Sequence, residues 1–196
     1  MLSRILALLC LLALSPASPA WGQGLKASLV QKKMADAGPV SFETGLVQVA
    51  FPDGKVEVLP YRTHLTPVAA KGRVFIFPAR EGRITGIVVY DANKRQARNF
   101  PLPSDLDPYF GAPRVSPDGA RMAYYVITGK KTAGEARGQV RVRSFPKGRV
   151  LWESPPAKVR ATDVPPAEPV WKGLKRAEFD PEFFDPPRPF VFQAAP

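Results

Sequence analysis

The sequence is poor in the residues that carry most redox and metal chemistry. It has one cysteine, Cys10, and one histidine, His64. Cys10 lies inside an apolar run at the extreme N-terminus that reads as a removable leader, so the mature chain is expected to hold no thiol. That excludes disulfides, thiolate catalysis and cysteine metal clusters. A single histidine leaves zinc without a ligand set. No Gly-x-Ser-x-Gly elbow accompanies His64, and no phosphate-binding glycine loop occurs. His64 stands in Tyr-Arg-Thr-His-Leu-Thr-Pro and reads as a turn or surface residue. No apolar run reaches the length of a bilayer span.

Acids are also scarce. There are 17 of them against 28 Lys and Arg, for a net charge of +11. Asp105 and Asp107 flank Leu106, and Glu178, Asp180, Glu182 and Asp185 crowd the C-terminal part. Neither set has the spacing of a calcium loop, and both read as solvated acids at turns and strand ends. No catalytic constellation, cofactor site or metal site emerges, so the chain reads as a non-enzyme. The alternative is a hydrolase using paired carboxylates on a β scaffold.

What is abundant is proline, with 23 residues, beside 15 glycines. Proline breaks helix interiors and central strands, so a large helical bundle is not expected and a loop-rich β fold is favoured. The first twenty residues have the three parts of an export signal. Arg4 is the positive end, Ile5 to Leu14 is an uncharged apolar run, and Ser15 to Ala20 supplies small residues for cleavage after Ala20. Ten apolar residues make only about 15 Å of helix, half a bilayer core. The chain is therefore expected to be exported, periplasmic or secreted, with no transmembrane anchor after processing. Loss of Arg4 lowers the charge to +10.

Four parts follow from the pattern: a signal peptide (1–20), an N-terminal segment (21–39), a β-repeat domain (40–180) and a Pro/Phe-rich tail (181–196). Residues 24–37 lack proline, and Leu25, Leu29 and Met34 could share one side of a helix, so a short helix is predicted there. Three hairpins follow, at 46–60, 86–101 and 139–155. Phe51-Pro52-Asp53-Gly54 and Phe145-Pro146-Lys147-Gly148 share one turn grammar. Gly72, Gly119 and Gly173 each precede a further candidate strand. They are 47 and 54 residues apart, and the hairpin turns at Gly54, Lys94 and Gly148 are 40 and 54 apart. Intervals near 40–45 residues are those of propeller blades. The polar loop 129–138 accounts for the longer second interval. Strands 73–77 and 122–127 are almost wholly apolar, as expected of strands covered on both faces. Residues 155–196 hold ten of the 23 prolines and five of the 12 phenylalanines, so the tail is expected to pack its rings on the β core.

The stretch from Ala112 through Val126 resembles the repeat signature of TolB-like, WD-type β-propellers. Pro113, Val115, Ser116, Pro117, Asp118, Gly119 and Arg121 match it position by position. Pro169-Val170-Trp171-Lys172-Gly173 is a degenerate second copy and Ala70-Lys71-Gly72 a weaker third. The resemblance implies an all-β fold of antiparallel, propeller-like blades. About three are present, incomplete and divergent, whereas propellers usually close with 4–8. The chain can stand as a capped open assembly, join a second copy to complete a ring, or adopt a smaller divergent sheet fold; the first is favoured. The same signature occurs in prolyl-oligopeptidase-type enzymes, but their hydrolase domain is absent, so no peptidase activity is implied.

TolB-like resemblance implies an envelope or extracellular protein as partner. A second surface is suggested by charge: Arg141, Arg143, Lys147 and Arg149, with Lys130, Lys131 and Arg137, form a basic stretch. Arg141 and Arg143 share a strand face, with Gln139, opposite Val140 and Val142. An acidic polymer or glycan would suit this face. Nucleic acid is not expected, because the chain is exported and contains no nucleic-acid module. Intact-mass measurement of the exported protein is expected to give a chain beginning at Trp21. Recovery of a chain retaining Met1 from the envelope fraction would overturn the leader assignment.

Overall fold

The computed structural model describes residues 24–37, 40–128, 136–160 and 165–195. The expected leader and most of the expected polar loop, with Lys130 and Lys131, lie outside the described residues.

The chain is all-β and folds as consecutive antiparallel sheets. Sheet I joins β1 (Lys26–Ala37), β2 (Val40–Ala50) and β3 (Val56–Thr63) in chain order. Next come β4 (Val68–Ala70) and β5 (Arg73–Ile76), a two-stranded ribbon of β6 (Ala79–Arg80) and β7 (Arg83–Ile84), then β8 (Ile87–Asp91) and β9 (Gln96–Phe100). Sheet II is β4-β5-β8-β9. Sheet III is β10 (Arg114–Val115), β11 (Arg121–Thr128), β12 (Arg137–Ser144) and β13 (Val150–Glu153), with β14 (Ala157–Lys158) paired beside β13 on β12. Sheet IV is β15 (Val170–Lys172), β16 (Arg176–Glu178) and β17 (Val191–Gln193). A 3-10 turn at Pro181–Phe183 is the one helical element among the described residues. No helix there is long and apolar enough to cross a membrane.

One unit recurs. A proline opens a short inner strand, a glycine turns the chain into the next strand, and a hairpin ends the sheet. Sheets II and III carry every part: Pro67 and Gly72, then Pro113 and Gly119. Among the described residues sheet I has no counterpart of the inner strand and its glycine turn. Sheet IV has Pro169 and Gly173 but no outer strand among the described residues. Gly72, Gly119 and Gly173 have φ of +72°, +71° and +68°, a left-handed geometry that costs glycine nothing. The three predicted hairpins are β2–β3, β8–β9 and β12–β13. Two of their turns share a sequence grammar but not a geometry. Gly54 N–H donates to the carbonyl of Phe51, whereas Gly148 N–H reaches the carbonyl of Ser144, and the Phe145–Pro146 peptide is cis.

The predicted helix at 24–37 is a strand. Its residues favour helices in isolation, but propensity yields to packing. Leu25, Ala27 and Leu29 alternate at the strand period and pack on the buried layer between sheets I and II, and the whole strand is paired with β2. A bulge between Val30 and Lys33, with Gln31 at φ +48°, adjusts the register. The sheet domain therefore starts at Lys26 rather than 40, and it ends at Gln193 rather than 180, because β17 pairs with β16.

Three apolar layers hold the sheets in the order I, II, III, IV. Val47, Val49 and Leu59 meet Val74, Ile76, Val88 and Tyr90 between I and II. Phe75, Phe77 and Val89 meet Val115, Met122 and Tyr124 between II and III. Ala123, Tyr125, Val140 and Val142 meet Ala177, Phe179 and Phe192 between III and IV. Neighbours such as Val74 and Phe75, or Tyr124 and Tyr125, thus belong to different layers, which is why these strands are continuously apolar. The tail packs as expected: Phe179, Phe183, Phe184 and Phe192 are buried in the last layer. Tyr125 anchors it, its hydroxyl donating to the carbonyl of Ala167 at 3.2 Å and accepting from Asp180 N–H at 2.7 Å. The outer faces of sheets I and IV are not covered by a layer of this kind among the described residues. Val56, Val58, Val170 and Val191 are exposed on them.

Gly119 also marks a close approach of sheets II and III. A Cβ there would lie 2.7 Å from the Phe75 ring, whereas one on Gly173 would meet nothing within 4 Å. Gly173→Ala is expected to lose about 1–2 kcal/mol to the left-handed backbone alone. Gly119→Ala should lose a further 1–3 kcal/mol or so as the ring is displaced. Urea unfolding of the two variants makes the comparison; equal losses would mean that Phe75 moves aside freely.

Candidate functional site

The inner strands of sheets II, III and IV are edge strands, and they converge. Between them lies a cavity of about 280 Å³, walled by Val68 and Ala69 from β4, Arg114 and Val115 from β10, and Val170 and Trp171 from β15, with Glu168 at its side. The three entry segments are tied by one carboxylate. Glu168 pairs with Arg114 at 2.9 Å through Oε2, and its Oε1 accepts from the Thr66 amide at 3.0 Å and the Thr66 hydroxyl at 2.9 Å. Trp171 Nε1 donates to the carbonyl of Arg114 at 3.3 Å. Arg114 and Glu168 remain partly open, at 29% and 20% side-chain exposure, so the pair faces both the cavity and solvent. The site offers an aliphatic wall, one indole, sheet-edge strands and a partly exposed arginine. That chemistry suits binding a short apolar segment with an acceptor group.

The Ser-Pro-Asp-Gly signature borders this cavity through Pro117 and does structural work. Ser116 Oγ donates to Asp118 at 2.5 Å, the Ala120 amide donates to Asp118 at 3.1 Å, and Arg121 bonds both Asp118 and the Leu174 carbonyl of sheet IV. Burial opposes ionisation of Asp118, yet the Ser116, Ala120 and Arg121 contacts outweigh it and hold the carboxyl below its ordinary range.

The four basic residues singled out in the sequence fall into two groups. Arg141 and Arg143 do lie on one face of β12, but both guanidiniums bond Asp105, and Arg141 also pairs with Glu153 at 2.6 Å. Tyr124 donates to the same Asp105 at 3.0 Å. This ionic knot fastens the 101–110 segment to sheet III. Lys147 and Arg149 stand exposed on the following turn. The acids considered for metal binding are spent locally. Asp107 accepts from the Tyr109 and Phe110 amides, Asp185 pairs with Lys158, and Glu182 pairs with Arg160. No group of three or more metal-ligating side chains forms among the described residues.

Pro67, Glu168 and Thr66 were not singled out by sequence reasoning. The signal available was the order proline then glycine at Pro67 and Gly72, which recurs at Pro113 and Gly119 and at Pro169 and Gly173. The chain matches no known family model, and no curated protein is similar to it in sequence.

His64 is half-buried rather than a free surface group. Its ring stacks on Phe42 at 5.1 Å, and its Nδ1 is buried without a partner. Burial pushes its pKa down from the ordinary value, with Glu168 pulling partly the other way. The unfolded chain therefore binds this proton more tightly than the folded one. Stability is full above about pH 6.5 and falls as the pH drops from there toward the folded value. His64→Phe, which keeps the stack, is expected to flatten the stability slope between about pH 7 and 5, above the carboxylate range. An unchanged slope in denaturant titrations would assign that titration to another group.

Proposed function

We propose that this is an exported, non-enzymatic β-repeat protein of TolB-like, propeller type. It acts as a protein-binding scaffold at the cell envelope and receives a segment of its partner where the inner strands converge. The observation that carries this reading is the cavity between β4, β10 and β15, whose walls combine aliphatic side chains and Trp171 with the Arg114–Glu168 pair. The leader pattern supports export to the periplasm or beyond, and the Ser-Pro-Asp-Gly signature supports kinship with envelope propellers.

Two other readings have less support. Hydrolysis by paired carboxylates needs two converging acids. The cavity wall has one, Glu168, and Arg114 and Thr66 hold it. Retention of acidic glycans through Arg141 and Arg143 would compete with Asp105 and Glu153 for the same guanidiniums.

The mature chain used as bait in envelope extracts is expected to recover a specific protein. Trp171→Ala combined with Arg114→Ala should lower that recovery about tenfold, as loss of an aromatic and an arginine anchor does elsewhere. Recovery that never rises above background at any salt concentration, or that ignores both substitutions, rules the reading out.

A further inference from the structure

A second cavity, of about 190 Å³, opens at the outer rim between sheets II and III. Ile87, Phe100, Leu102, Met122 and Phe145 form its apolar wall, and Phe100 and Phe145 meet edge to face at 5.3 Å. Pro146 and Gly148 of the turn after β12 also line it, and the exposed Lys147 and Arg149 are their immediate neighbours in the chain. Arg143 also lines it, held by Asp105 at 2.8 Å and by the Gly148 carbonyl at 3.4 Å, with Nε left unpartnered.

Charge and shape point the same way. Around this rim stand four cations (Arg141, Arg143, Lys147 and Arg149), and two carboxylates, Asp105 and Glu153, pair with Arg141 and Arg143. The two left over are Lys147 and Arg149. Both are exposed, and neither has an ion-pair partner among the described residues. An apolar slot bordered by unpaired cations complements an anionic ligand with an apolar anchor. The slot falls short of the roughly 300 Å³ at which pockets begin to enclose a whole small molecule. It is of a size for one large side chain. Its wall offers few hydrogen-bonding groups, which suits an aromatic or aliphatic anchor better than a sugar ring.

We propose that this rim cleft binds an acidic peptide segment bearing one aromatic or large aliphatic side chain. The side chain enters the slot against the Phe100–Phe145 pair and Leu102, and flanking carboxylates meet Lys147 and Arg149. The site is separate from the inner-strand cavity and does not depend on its assignment.

The probe is a fluorescent peptide of six glutamates around a central phenylalanine, titrated by anisotropy against the purified mature chain. The same peptide with alanine at the centre is the first control, and a heparin oligosaccharide is the competitor for the glycan alternative. The Phe peptide is expected to bind about tenfold or more tightly than the Ala peptide. Lys147→Glu combined with Arg149→Glu should abolish its binding, and both positions are exposed, so an unchanged melting curve is expected alongside. Trp171→Ala should leave peptide binding intact, which separates this site from the inner cavity. Equal binding of the two peptides would reduce the surface to general charge attraction. Unaltered binding after charge reversal, or a heparin oligosaccharide outbinding the Phe peptide, would equally overturn the proposal.

Discussion

The fold depends on two sheets being buried on both faces. In β5 and β11 successive side chains point to opposite layers, so Val74 and Phe75, or Tyr124 and Tyr125, each serve a different interface. A strand so placed cannot afford a polar alternate, and the nearly unbroken apolar runs follow from that. Sheets I and IV cover the stack from outside and accept polar residues on their free faces. The inner-strand cavity and the rim cleft both lie between stacked sheets, one among the inner strands of sheets II, III and IV and one between sheets II and III.

Twist alone would leave the inner strands loosely placed, since each is only two or three residues long. Polar contacts fix them. Glu168 reaches back to Thr66 and across to Arg114, which are 102 and 54 residues away in sequence. Arg121 does the same between the glycine turns of sheets III and IV. The Ser116–Asp118 turn is thus part of the frame around the cavity, and its polar atoms are consumed there.

What could be read from the sequence was whatever local chemistry dictates. The hairpins and the glycine turns follow from proline, aspartate and glycine at fixed offsets, and the all-β class follows from proline density. The N-terminal strand was hidden because Ala, Leu, Lys and Met favour helix until a partner strand pairs with them. Its alternation of Leu25, Ala27 and Leu29 was present but short. The fate of Arg141 and Arg143 was invisible for a different reason. Their partner Asp105 lies 36 and 38 residues earlier, on a proline-rich connection whose path no local pattern specifies. Lys147 and Arg149, with no such distant partner, stand on the surface as a solvated turn should.

Among the described residues sheets I and IV have three strands each, and sheet II has four. Apolar layers join only successive sheets, but Glu168 also ties the entry of sheet IV to Thr66 at the entry of sheet II, so sheets II, III and IV share one polar junction. Trp171 sits on a terminal sheet and forms one wall of the inner cavity. Any loosening of that terminal sheet would therefore open the cavity while sheets II and III stay packed on each other.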